Sequence, residues 1–137
     1  MEWFKTQTVN DKTAVFDPLR RQYVALTPEE QVRQKVLYYL VEVRGFAAGL
    51  VAVEYSIKVN NLPKRCDIVV FNNSGEARMI VECKAANVEI TGKVLDQAIR
   101  YYSGLQTEFL MLTNGKSMFC YRVSDGRLSA LDEFPDI

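Results

Sequence analysis

The chain has 137 residues, 48% of them hydrophobic and 25% charged, with no histidine and a formal net charge of zero. That length and balance fit one globular domain and exclude long disordered tracts. The missing histidine excludes Ser-His-Asp and Cys-His catalysis and the usual zinc sites, and zero net charge excludes a strongly basic nucleic-acid binder, though not a local basic groove.

The N-terminal "MEWFKTQTVN" has no basic segment followed by an apolar run, so no signal peptide is expected. No apolar stretch approaches ~18 residues, so no transmembrane helix is expected either, and the chain reads as cytoplasmic. "TAVFDPLRRQYVAL" reads as two extended pieces around a turn at Asp17-Pro18, an arm over residues 1–26 laid on the core. "LTPEEQVRQKVLYYLVEVRG" is the clearest helix. Thr27 caps it, Pro28 fits its first position, and Glu30 stands three residues on, as in a capping box. Val32, Val36, Leu37, Leu40 and Val41 form its apolar stripe, and Gly45 ends it.

"LVAVEYSIKV", "RCDIVVF" and "ARMIVECKA" follow as three strands, separated by the turns "NNLPK" and "NNSGE". A second helix is expected over about 91–105, with Val94, Leu95, Ala98, Ile99 and Tyr102 inward. "EFLMLTNGKSMFCYRV" gives two more strands around an Asn114-Gly115 turn, and about 132–137 reads as a tail. The order α-β-β-β-α-β-β predicts one α/β (α+β) domain over 1–137, a central mixed sheet flanked by helices. Cys66, Cys83 and Cys120 lack CxxC spacing and are expected as buried, reduced thiols.

Charge stands where these strands should be apolar. Asp67 opens the second strand, and Glu82 and Lys84 close the third. An antiparallel hairpin brings those ends side by side, and residues two apart share a face. Two carboxylates and one ammonium can therefore meet at the sheet's rim. Such a set suits a hard divalent ion, Mg²⁺ or Mn²⁺, and phosphodiester hydrolysis by a metal-activated water. The [DE]xK triplet alone is weak, since chance supplies roughly one in a chain of this composition. The plain alternative is a turn aspartate and a surface Glu-Lys pair.

"FDPLRRQYVALTPEEQVRQKVLYYLVEVRGF", "KRCDIVVFN", "VECKA", "DQAIRYY" and "LTNG" together resemble a known family. It is the nuclease-type domain at the N-terminus of the restriction subunit of type I restriction enzymes, in its short stand-alone form, within the PD-(D/E)xK superfamily. The resemblance covers roughly residues 16 to 134. It implies a restriction-endonuclease-like core, with Asp67, Glu82 and Lys84 as the catalytic motif. It also implies that Glu30 supports the metal held by Asp67 and Glu82, and that Gln97, with Tyr101 one turn later, lies beside the site. Cys66 stands where a proline often stands. No GxxxxGK[ST] is present, so ATP-driven translocation is not expected.

Glu30 could equally be a helix cap, and Glu29 could be the ligand in its place. Lys64 and Arg65 precede Asp67 directly and, with Arg33, are candidates to hold a DNA backbone. Arg20, Arg21, Lys93 and Arg100 could add charge at the rim. The expected function is a Mg²⁺-dependent endodeoxyribonuclease. The alternative is a catalytically silent module of the same fold that binds DNA or a partner protein in a restriction or DNA-maintenance system. A partner subunit supplying targeting and a homodimer with two sites are further expectations.

Overall fold

The computed structural model describes residues 1–102 and 104–137, with the backbone alone at 101 and 102. Two sheets form. Strands β1 (Thr6–Val9), β2 (Lys12–Asp17) and β3 (Gln22–Ala25) make an antiparallel three-stranded sheet. This sheet falls within residues 1–26, read from the sequence as an arm, and has one strand more than the sequence suggested. All four residues of β1 are exposed, so it carries no apolar alternation to read.

The second sheet has six strands in the order β4-β5-β6-β7-β8-β9. They are Val51–Val59, Leu62–Phe71, Ala77–Cys83, Phe109–Thr113, Met118–Ser124 and Arg127–Leu131. Only β6 and β7 pair in parallel, so the sheet is mixed as expected. β6 and β7 lie centrally and are covered on both faces, which is why they read as unbroken apolar runs. β9 was not expected: its residues are exposed or half-buried and show no strand pattern.

Helix α1 (Pro28–Tyr38) begins where the sequence places it, with the Thr27 hydroxyl accepting the Glu30 N–H at 3.0 Å. It passes into a π-helical stretch, Tyr39–Val43, and the chain leaves at Gly45 with φ +80°. Val32, Val36, Leu37 and Leu40 pack against Ile68, Val81 and Met111 on one face of the sheet. Helix α2 (Gly92–Tyr102) covers the other face. There Ala98 is buried and Leu95 packs beside Val69, Ile80 and Leu112. Ile99, expected inward, is 38% exposed, and the Tyr102 side chain lies outside the described residues. The result is helix, sheet and helix in three layers. The tail is not loose: Phe134 is buried against Tyr39, with the Arg44 guanidinium 4.7 Å from its ring centre.

The β4–β5 hairpin reaches past the sheet. Its pairing continues from Tyr55–Cys66 to Val59–Leu62 and closes on Asn60-Asn61, both at positive φ, as a two-residue hairpin turn requires. The hairpin rests on the segment after α2. A Cβ at Gly104 would lie 2.4 Å from the Lys58 carbonyl oxygen. Gly104→Ala is therefore expected to destabilise the domain by about 1–3 kcal/mol, the range for overpacking. Urea unfolding is the measure, and an unchanged midpoint would refute the close approach. All three cysteines are free and buried, as expected. Among the described residues no helix is long and apolar enough to cross a membrane.

Candidate active site

The site lies at the carboxyl end of β6, beside the parallel partner β7 and before the crossover through α2. Crevices in α/β sheets open at such ends, where the connections part. Ile80 packs on the α2 side and Cys83 on the α1 side. Glu82, two residues beyond Ile80, therefore faces α2, and Lys84 follows on the same face. Cys83 turns inward opposite them, as the alternation predicts.

Asp67 owes its position to a break in that alternation. Cys66 belongs to the α2 side and Ile68 to the α1 side, although they stand two apart. The strand turns over at Asp67. The facing residue, Glu54, adopts a left-handed φ of +52° and is skipped between the Val53–Ile68 and Tyr55–Cys66 pairs. A non-glycine residue held there costs of order 1–3 kcal/mol, and such strain gathers at functional sites. The turned-over Asp67 Oδ2 accepts the Cys83 N–H at 2.8 Å, while Oδ1 accepts from Arg33 Nη2 at 3.1 Å.

Asp67 and Glu82 stand one position beyond the Ile68–Val81 pair on neighbouring strands. Glu82 is only 5% exposed, and its buried Oε1 has no hydrogen-bond partner among the described residues. Burial and the Asp67 charge push its carboxyl up to about 9, against smaller lowering by the Asp67 backbone N–H and by Lys84. Burial and the neighbouring Asp67 charge thus disfavour the ionised form of the Glu82 carboxyl. Burial, with Glu82 and Asp67 nearby, also pushes the Cys66 thiol up to about 12, which makes it inert.

A cleft of about 220 Å³ opens above Glu82, lined by Lys64, Lys84, Val94, Gln97, Ala98 and Arg100 among others. The structure thus brings Glu82, Lys84, Gln97 and Lys64 to one cleft, while Asp67 stands beside Glu82 on the neighbouring strand but outside the lining, held by Arg33 and the Cys83 N–H. Arg65 points away on the outer face of the hairpin, 3.7 Å from Glu54, with its side chain 69% exposed. The Tyr101 side chain lies outside the described residues.

Glu30 and Arg33 belong to a buried network behind the site. Glu30 Oε1 accepts from Arg20 and Arg33 at 2.9 and 3.1 Å, and its Oε2 accepts from Gln34 at 3.2 Å. Both oxygens are committed, so Glu30 does not join Asp67 and Glu82. Its side chain does not close the capping box either, because the arginines hold it. Arg33 is itself buried, bridging Glu30, Glu54 and Asp67. Glu29 stands nearer the site. Burial and then the Asp67 charge raise its carboxyl, against Arg33 and Lys84, which lower it. Asp17, fully buried, anchors Arg20 at 2.7 Å and accepts from Gln34. Arg20, expected to add charge at the rim, is instead tied up behind the site by Asp17, Glu30 and Glu54, and neither Asp17 nor Glu54 stands out in the sequence as site-related. The charge inside "VAVEYSI" is the one signal that could have flagged Glu54.

The family model described as Type I restriction enzyme R protein N terminus (HSDR_N) matches residues 28–135. The chain belongs to this family.

The R-protein N-terminal match contains both helices and the whole six-stranded sheet. The arm lies before it, yet it supplies Asp17 and Arg20 to the network that ends at Asp67. Among solved structures, the chain is similar to a DUF820 protein of Anabaena variabilis described as a candidate nuclease. The two are 13% identical, with a TM-score of 0.47 over 97% of this chain and 80% of that one. No match is found among curated proteins.

The family raises the question of a divalent ion. Among the described residues, no three carboxylate or thiolate groups stand together as a ready cage. The fit rests on the pair. Glu82 Oε1 is a buried acceptor with no donor, next to a second carboxylate that repels its charged form. A hard cation satisfies that oxygen and relieves that repulsion together. The residues present fit such an ion, and water can complete its shell.

Proposed function

We propose that this domain hydrolyses DNA phosphodiester bonds at the cleft above Glu82, with Asp67 and Glu82 holding Mg²⁺ or Mn²⁺. The observation that carries this reading is the buried, partnerless Glu82 oxygen beside Asp67, at the floor of a cleft lined with cationic side chains. When bound, the ion would activate a water and neutralise charge developing on the phosphorus. Lys84 faces the same cleft and supplies positive charge for the attacking and equatorial oxygens. Gln97, from α2, is placed to orient the water by hydrogen bonding. Lys64 and Arg100 line the entrance and receive the flanking phosphates. Arg33 fixes Asp67 from behind, and Arg20 and Glu30 fix Arg33 in turn.

A second reading has its own observation. The Arg33 guanidinium already neutralises Asp67 at 3.1 Å, which suits a domain that binds DNA without cutting it. Metal linkage separates the two. An ion that binds only the folded state stabilises it by about 1.4 kcal/mol at ten times its Kd. For a domain of this size the melting temperature should rise by about 5 °C in Mn²⁺. Asp67→Asn should abolish the rise, while its amide oxygen still accepts the Cys83 N–H. Cleavage of a DNA panel in Mg²⁺ or Mn²⁺ by wild type, and not by Asp67→Asn, completes the test. A wild-type melting temperature indifferent to both ions would select the non-cleaving reading.

A further inference from the structure

The form of the nucleic acid is written in the walls of the cleft. One wall is the inner face of the β4–β5 hairpin. Ile57 pairs with Lys64 and Val59 with Leu62, so these four side chains share that face. Ile57 is buried on the α2 side, and Val59 and Lys64 line the cleft. The opposite wall is α2, through Val94, Gln97, Ala98 and Arg100. The hairpin packs closely on the segment after α2 at Gly104. Leu62 lies across the ladder from Val59, one inward-facing position nearer the tip than Lys64, and is 60% exposed as an apolar lip.

Glu82 sits at the floor, 5% exposed. The cleft holds about 220 Å³, less than the ~300 Å³ at which pockets for drug-sized ligands begin. Glu82 lies nearly covered between the two walls, where a stiff duplex brings a phosphate less easily than a flexible strand does. A single strand has freely rotating backbone bonds and presents one nucleotide at a time. The lining suits it. Lys64, Lys84 and Arg100 match a run of phosphates, while Val59, Val94, Ala98 and the Leu62 lip offer apolar contact to sugars and bases. A positively charged groove that tracks the backbone is half of how single strands are held without sequence readout; here aliphatic side chains take the place of the usual aromatic stacking platforms.

We propose that the cleft between the β4–β5 hairpin and α2 takes a single polynucleotide strand, threaded past Leu62 and Lys64 towards Glu82, and that duplex is admitted only where it has opened. This deepens the nuclease reading and rests on it for the chemistry at Glu82, but strand binding can be measured without cleavage.

The test uses the full chain in EDTA at low ionic strength, with fluorescence anisotropy of end-labelled oligonucleotides. The probes are one DNA strand, the RNA strand of the same sequence, and the blunt DNA duplex. At least one single strand should bind about 10-fold more tightly than the duplex, and the DNA and RNA arms then tell which sugar is taken. Lys64→Glu should weaken strand binding about 10-fold and reduce its salt dependence, because a phosphate contact becomes a repulsion. Leu62→Ser should weaken it about 3-fold. Both side chains are exposed, so neither change disturbs the core. Lys12→Glu, the same charge change on exposed β2 of the other sheet, should leave binding unchanged. Duplex bound as tightly as both strands, or Lys12→Glu as damaging as Lys64→Glu, would overturn the proposal and leave the metal-linked reading standing. Absence of binding to any probe would also overturn it. The nuclease reading fails separately, by an absent Mn²⁺ shift.

Discussion

Lys84→Met is expected to lower DNA cleavage by about 100-fold or more, the range for losing one charged or hydrogen-bonding group aimed at a transition state. The fold should survive. Lys84 is half-buried, and its structural hydrogen bond runs from its backbone N–H to the Thr113 carbonyl at 2.8 Å, which methionine keeps. Methionine also replaces much of the aliphatic stem. Only the charge is removed. Lys84 is one of the groups that lower the Glu82 carboxyl, so its loss should also leave Glu82 harder to ionise. Cleavage assays with a melting curve on the same sample give the answer. Activity within about 3-fold of wild type would remove Lys84 from the chemistry.

Glu82→Gln should change how stability depends on pH. The Glu82 carboxyl is raised from 4.5 to about 9 in the folded domain. Between those values the unfolded chain has lost the proton and the folded chain keeps it. Unfolding then releases a proton, so stability falls as pH rises, by about 1.4 kcal/mol per pH unit from this one group. The contribution is fully present below about 4.5 and gone above about 9. Across the window it reaches several kcal/mol, a large part of the stability of a small domain. In EDTA, the wild-type urea midpoint should decline from about pH 5 to about pH 9, and that of Glu82→Gln should be much flatter. Saturating Mn²⁺ should flatten the wild-type profile as well, because a bound cation favours the ionised carboxylate. Parallel profiles for the two proteins in EDTA would mean that Glu82 is ionised in the fold.

Much of the fold was legible because it is encoded locally. Thr27-Pro28 and the stripe from Val32 to Leu40 announce α1, and the β-branched runs around Asn72–Glu76 announce the β5–β6 hairpin. The alternation of Ile80, Glu82 and Lys84 against Cys83 was legible too, because β6 is regular through that stretch. Elements that fold by pairing alone left no such mark. β1 and β9 are exposed strands held by ladder hydrogen bonds to β2 and β8, so their side chains carry no burial pattern. Ile99 misled for the opposite reason: its hydrophobicity fits a buried stripe, but α2 covers the sheet mainly through Ala98 and Leu95.

The same division runs through the site. The sequence by itself determined that Glu82 and Lys84 would share a face and that Asp67 would lie on the neighbouring strand, because a short turn and a two-residue period leave few other arrangements for the hairpin. That Gln97 would lie beside them came only from the family resemblance. Only the tertiary structure decided what each group does there. The left-handed Glu54 turns Asp67 over so that it binds both Arg33 and the Cys83 N–H. The arm reaches from Asp17 and Arg20 to Glu30 and Arg33, drawing Glu30 away from the site and leaving Glu29 closer to it. Burial beneath α2 and the Asp67 charge raise the Glu82 carboxyl. Periodicity records which face a side chain takes, since that depends on its own strand or helix. Charge state and ion pairing depend on groups brought together from distant parts of the chain, and on the water excluded when they meet.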